Sequence, residues 1–165
     1  MRTWRLLFIG LVLTLVTSAA SAQALKATAP KVSDPPRDAV RTIDIVGGDD
    51  MKYSITRITA KRGETLRIRL TSKGTLPRIA MAHNVVILAP GTNVPKFIDA
   101  GAPFRQTDFI APAMKSSVLA QTRFAGPGEV VELTFKVPAK AATYPFVCTF
   151  AGHFAAGMVG SIVVR

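Results

Sequence analysis

From Val40 onwards the chain is a succession of short runs of alternating apolar and polar side chains, punctuated by glycine, proline and aspartate. Arg41 to Val46 alternates with period two before Gly47, Gly48, Asp49 and Asp50 turn the chain. Ser54 to Ala60 forms a second run, closed by the turn Lys61 to Gly63. Between Glu64 and Leu70 the alternation is nearly strict, placing Leu66, Ile68 and Leu70 on a core face and Arg67 and Arg69 on a wet one. Apolar or alternating runs return at His83–Leu88, Val130–Val137, Tyr144–Cys148 and Val159–Val164. Seven or eight short strands of this kind predict an all-β fold, an antiparallel β-sandwich.

Two stretches break the pattern. Residues 89–121 contain Pro90, Pro95, Pro103 and Pro112 and are too long for a hairpin loop, so they are expected to form a flap outside the sandwich, with a short helix around Val94 to Ala100. Before Val40, residues 23–39 are rich in alanine and proline and poor in large apolar side chains, the composition of a flexible leader. Residues 1–22 carry Arg2 and Arg5, then an apolar run from Leu6 to Val16, then Ala20, Ser21 and Ala22, the form of a cleavable signal peptide. A retained membrane anchor is the alternative, but the apolar run is shorter than the ~20 residues of a spanning helix. Export and one domain over residues 40–165 are therefore expected.

Charge narrows the partners. The formal net charge is +11, and removal of Arg2 and Arg5 with the signal leaves +9. Lysine and arginine are scattered, with no nucleic-acid-binding motif, so the charge is read as steering towards an acidic partner or an anionic surface, or as a solubilising surface, and not as a footprint for nucleic acid.

The chain has one cysteine and two histidines. Cys148, His153 and Met158 follow one another with four residues between each pair, offering a thiolate, an imidazole and a thioether near one point. That is most of the ligand set of a type 1 copper site, which needs one further imidazole. His83, in the apolar run from Met81 to Leu88, supplies it. Gly152 and Gly157 suit sharp turns beside ligands. The Asn84 side chain is placed to tie the two ligand segments together by hydrogen bonds. Other readings use the same residues. Zinc binds a cysteine with two histidines but has little use for a thioether. A nucleophilic Cys-His pair lacks an orienting third group and an oxyanion loop. A buried, inert thiol explains Cys148 alone, and a two-centre copper site would need a second cysteine.

The segments Thr75–Leu88, Val118–Glu129 and Tyr144–His153 strongly resemble the azurins, over about residues 40–165. The resemblance implies an eight-stranded Greek-key cupredoxin fold, one copper cycling between Cu(I) and Cu(II), and a soluble one-electron shuttle in a bacterial periplasm. His83, Cys148 and His153 would be equatorial ligands, Met158 axial, and the Ala82 carbonyl a distant fifth contact. Azurins have glycine at the position of Ala82, tryptophan at that of Val85, and a disulfide that a chain with one cysteine cannot form. They also have three residues between histidine and methionine; the four found here, with four before His153, resemble the auracyanins.

The function expected is a one-electron shuttle between donor and acceptor redox proteins, such as acidic cytochromes or copper enzymes, by a monomer that is not an enzyme. The backbone N–H groups of Asn84 and Phe150 would donate to the Cys148 sulfur. His153 would be the electron port, its edge exposed in an apolar patch of Phe154, Ala155 and Ala156. The competing function is a periplasmic copper carrier, which would expose Met- and His-rich segments that this chain does not show.

Overall fold

A computed structural model describes residues 39–165. The expected signal segment and nearly all of the leader lie outside the described residues. Eight strands form two sheets: β1 (Val40–Gly47), β2 (Arg57–Ala60), β3 (Thr65–Ser72), β4 (Val86–Leu88), β5 (Val118–Gln121), β6 (Val130–Lys136), β7 (Thr143–Val147) and β8 (Val159–Val164). One sheet has the order β1-β3-β6 and the other β2-β8-β7-β4-β5.

The alternation expected of β3 is borne out: Leu66, Ile68 and Leu70 are buried while Arg67 and Arg69 are exposed. Val131, Leu133 and Phe135 of β6 repeat the pattern on the antiparallel neighbour. These side chains meet Ile58, Tyr144, Phe146 and Ile162 from the second sheet in one core. The arrangement is not purely antiparallel. β1 runs parallel to β3, and β2 parallel to β8. The cause is topological, because β1 and β2 are consecutive in the chain but enter different sheets, so neither can pair with the other as a hairpin.

β4 is buried on both faces, with Val86, Ile87 and Leu88 fully covered. Ile87 faces the main core, whereas Val86 and Leu88 belong to a second cluster with Phe97, Ile110 and Val147. The flap provides that second cover. Its helix α1 (Val94–Gly101) starts at Asn93, whose side chain accepts the Lys96 N–H at 3.0 Å, and has proline in its first turn. It presents Phe97 to the sheet. Two short 3-10 stretches follow, and the last part of the expected flap is not flap at all: β5 pairs with β4 and forms the sheet edge. Its four residues, alternately half-buried and exposed, give little strand signal next to the prolines before them.

Candidate metal centre

The candidate ligands come from two places in the fold. Cys148 directly follows β7, and His153 and Met158 lie on the loop that returns to β8. The loop is closed by its own backbone: the Met158 N–H reaches the His153 carbonyl at 2.9 Å, the Gly157 N–H the Phe154 carbonyl at 2.8 Å, and the Cys148 N–H the Met158 carbonyl at 3.2 Å. Gly152 and Gly157 take φ values of 84° and 95°, which a side chain would resist, so both glycines serve the turns as expected. His83 was expected inside a strand. It lies instead just before β4, held by a two-way bridge to Ala125 with N–H to carbonyl distances of 2.9 and 2.7 Å.

The fold brings these residues together. The ligand atoms of His83, Cys148 and His153 all lie within 4.8 Å of one another. Cys148 Sγ is 3.4 Å from His153 Nδ1, and the two imidazole centroids are 5.0 Å apart. Met158 is buried with them. Its contact with the site appears through Gly47 at the end of β1: a methyl group there would lie 2.8 Å from Met158 Cε and 3.1 Å from the His83 ring. A glycine that the sequence marks only as part of a turn is thus what leaves room for the thioether beside the imidazole. The Ala82 carbonyl oxygen is 3.9 Å from Cys148 Sγ.

The donor set fits copper on an observation of the side chains themselves. Both ring nitrogens of His83 are buried without a hydrogen-bond partner, a costly state for an imidazole that a metal would relieve. Burial pulls His153 down to about 4, with His83 beside it adding to the effect, and burial also lowers His83 against the opposing pull of Asp49 and Asp50. Both imidazoles are therefore neutral at pH 7, the form that a metal needs. Burial pushes the Cys148 thiol up to about 12, although the backbone N–H groups of Asn84 and Phe150 both favour the thiolate, as the sequence led us to expect.

A set of hydrogen bonds holds this geometry. Asn84 Oδ1 accepts the Thr149 N–H at 3.0 Å, and Asn84 Nδ2 donates to Thr149 Oγ1 at 2.9 Å. Thr149 Oγ1 in turn donates to the Asp108 carbonyl of the flap at 2.6 Å. Tyr53 donates its hydroxyl to the Asn84 carbonyl, and Lys52 Nζ donates to the Ala156 carbonyl between His153 and Met158. The sequence points to Asn84, but Thr149, Tyr53 and Lys52 give no local signal; each matters only through what the fold sets opposite it.

The expected electron port is not found. His153 is 1% exposed and presents no bare edge to solvent. The Phe150 ring lies against it at 4.8 Å, and Phe124 and Phe109 pack edge-on to Phe150 at 5.6 and 5.9 Å. Phe154 turns away into the cluster beneath the flap, leaving Ala155 exposed and Ala156 half-buried.

With this geometry in view, comparison with known proteins is direct. The family of copper binding proteins described as the plastocyanin/azurin family matches residues 40–165. Azurin of Pseudomonas aeruginosa is 31% identical over 137 residues, which are 81% of this chain and 91% of that protein. Auracyanin-A of Chloroflexus aurantiacus is 30% identical over 119 residues, covering 72% of this chain and 70% of its own. The crystal structure of a dithionite-reduced auracyanin from Roseiflexus castenholzii superposes with a TM-score of 0.66 at 30% identity, covering 75% of this chain and 96% of that one. The two-sheet fold, the gathered thiol, imidazoles and thioether, and these relatives agree: the chain belongs to the plastocyanin/azurin family of copper-binding proteins and is an azurin- and auracyanin-like cupredoxin whose cofactor is copper.

Proposed function

We propose that this protein is a one-electron shuttle of the bacterial periplasm, in which His83, Cys148, His153 and Met158 would hold one type 1 copper. The observation that carries the assignment is the pair of partnerless ring nitrogens on His83, buried within 4.8 Å of the Cys148 and His153 ligand atoms. Bound there, copper supplies a Cu(I)/Cu(II) couple, for which a soft thiolate, two imidazoles and a weak thioether suit both oxidation states.

The chain's own residues supply rigidity. Asn84 and Thr149 fix one ligand segment against the other, so little rearrangement accompanies a change of charge at the site. The Asn84 and Phe150 N–H groups stabilise negative charge on Cys148 Sγ, and the apolar cover excludes water. Periplasmic placement rests on the signal-like segment Met1–Ala22. Among the described residues no helix is long and apolar enough to cross a membrane. Partners are redox proteins that donate and accept one electron, met by a monomer without catalytic activity of its own.

The test is a visible and EPR spectrum of the purified, copper-loaded protein. An intense absorption at about 600 nm with a reversible couple is expected from thiolate-to-copper charge transfer. A colourless copper-loaded protein with Cys148 intact would refute the assignment. Ready surrender of copper to an apo acceptor would instead favour the carrier reading, which the burial of all four candidate ligands opposes.

A further inference from the structure

The burial of His153 raises the question of where an electron leaves the protein. The ring that covers it, Phe150, is half-buried and forms part of the floor of an open groove of about 370 Å³. We propose that redox partners dock in this groove, formed by Arg78, Ile79, Arg105, Phe109, Phe124 and Phe150, and that the partner is an acidic redox protein presenting carboxylates around an apolar contact. The proposal rests on the shuttle reading above and gives that site its partner.

Three observations converge. The first is position, since Ala82, whose carbonyl lies 3.9 Å from Cys148 Sγ, also lines the groove, and Phe150 touches His153. A partner seated there stands one side chain away from two of the candidate ligands. The pole formed by Ala155 has no such aromatic contact to the site among the described residues.

Charge is the second observation. Arg78 and Arg105 line the groove, and Arg123 lies beside it, sharing Glu129 with Arg78. Arg78 and Arg123 thus share one carboxylate, and Arg105 adds a third guanidinium to the rim. Asp108 is not part of the lining and is directed to Gln121. Arg105 is exposed and makes no hydrogen bond or ion pair among the described residues. Such a cationic rim attracts carboxylates and speeds encounter with an acidic surface.

The third is shape. Ile79, 74% exposed, is the most exposed large hydrophobic residue described, and it stands on the groove wall. Phe109 holds φ at 56°, immediately after Asp108 at the same value, a conformation that a bulky side chain adopts only when its surroundings impose it. Gly101 leaves room for this turn, because a methyl group there would lie 2.0 Å from the Phe109 carbonyl oxygen. The strained backbone sets an aromatic ring in the groove wall, against Phe124 and Phe150.

The test uses the full-length, copper-loaded protein, reduced and mixed in a stopped-flow instrument with an acidic ferric c-type cytochrome. Arg105→Glu and Ile79→Ser are compared with Ala155→Glu, after each has been shown to keep the blue absorbance and potential of the unaltered protein. At low ionic strength Arg105→Glu is expected to slow the second-order rate by about five-fold or more, an effect that fades as salt screens the rim. Ile79→Ser should slow it at every salt concentration, and Ala155→Glu should leave it within two-fold, a margin of the order expected when a charge lies outside the contact. Unchanged rates in the first two variants, or an equal loss in Ala155→Glu, would overturn the docking assignment. Absence of a reversible couple in the unaltered protein would instead remove the shuttle reading, so the two failures are distinguishable.

Discussion

Asn84 and Thr149 bind each other twice, the amide oxygen of Asn84 accepting the Thr149 N–H at 3.0 Å and its amide nitrogen donating to Thr149 Oγ1 at 2.9 Å. Both residues are buried, so neither can turn to water if the other is lost. Asn84→Ala leaves a buried N–H without a partner and is expected to destabilise the protein by about 1–3 kcal/mol. Thr149→Val keeps the backbone bond and should cost less. Denaturant midpoints of the copper-free variants measure the order, and a Thr149→Val protein less stable than Asn84→Ala would contradict it.

Gly47 controls the depth of the site. The methyl group of Gly47→Ala would lie 2.8 Å from Met158 Cε, so the thioether or the His83 ring must yield. Overpacking of this kind costs about 1–3 kcal/mol, and displacing the Met158 sulfur would alter the spectrum of a copper that it helps to hold. The expected result is lower thermal stability together with a changed ratio of the visible bands. A variant with the unaltered spectrum would show that the thioether does not approach the copper.

Lys52 reaches the ligand loop from the segment after β1 and donates to the Ala156 carbonyl. Lys52→Met removes that bond from an exposed position, where about 0.5–1.5 kcal/mol is at stake. Copper release to a chelator should quicken several-fold while the blue band stays, and Lys52→Arg should restore part of the loss. Equal release rates in all three proteins would show that the clamp is idle.

The copper-free protein should have a pH window of greatest stability. His83 and His153 lie below their ordinary value of 6.5, His153 at about 4, so their contribution is present above 6.5 and lost as pH falls through those lower values. Cys148 is raised from 9.0 to about 12, so its contribution is present below 9.0 and lost as pH rises towards 12. Tyr53, buried and raised well above its ordinary value, adds to the alkaline loss. Unfolding titrations should show a plateau between about 6.5 and 9.0 with a fall on both sides. Copper loading at pH 7 should release about one proton, from the Cys148 thiol, since both imidazoles are already neutral. Release of two or more would show that an imidazole was charged.

Much of the architecture was legible because it depends on local periodicity. β3 and β6 declare themselves by alternation, and the short helix expected around Val94 to Ala100 is found at Val94–Gly101. β5 escaped notice because four residues, two half-buried and two exposed, are too short a run to stand out after a proline-rich stretch; pairing with β4 makes them a strand. The parallel pairings escaped for a related reason, since no local pattern says which sheet a strand joins.

The site divides along the same line. Cys148, His153, Met158 and His83 could be read from sequence because a thiol, two imidazoles and a thioether are scarce in this chain, and scarcity makes their spacing informative. Gly47, Lys52, Tyr53 and Thr149 are common residues whose roles come from contacts over long stretches of chain. Exposure is likewise a property of the assembled surface. The run from His153 to Ala156 suggests an exposed port, but packing closes Phe150 over the imidazole and opens a groove between Ile79 and Arg105 instead. Ligand chemistry is written in residue identity; the path to that chemistry is decided by which side chains the folded chain sets around it.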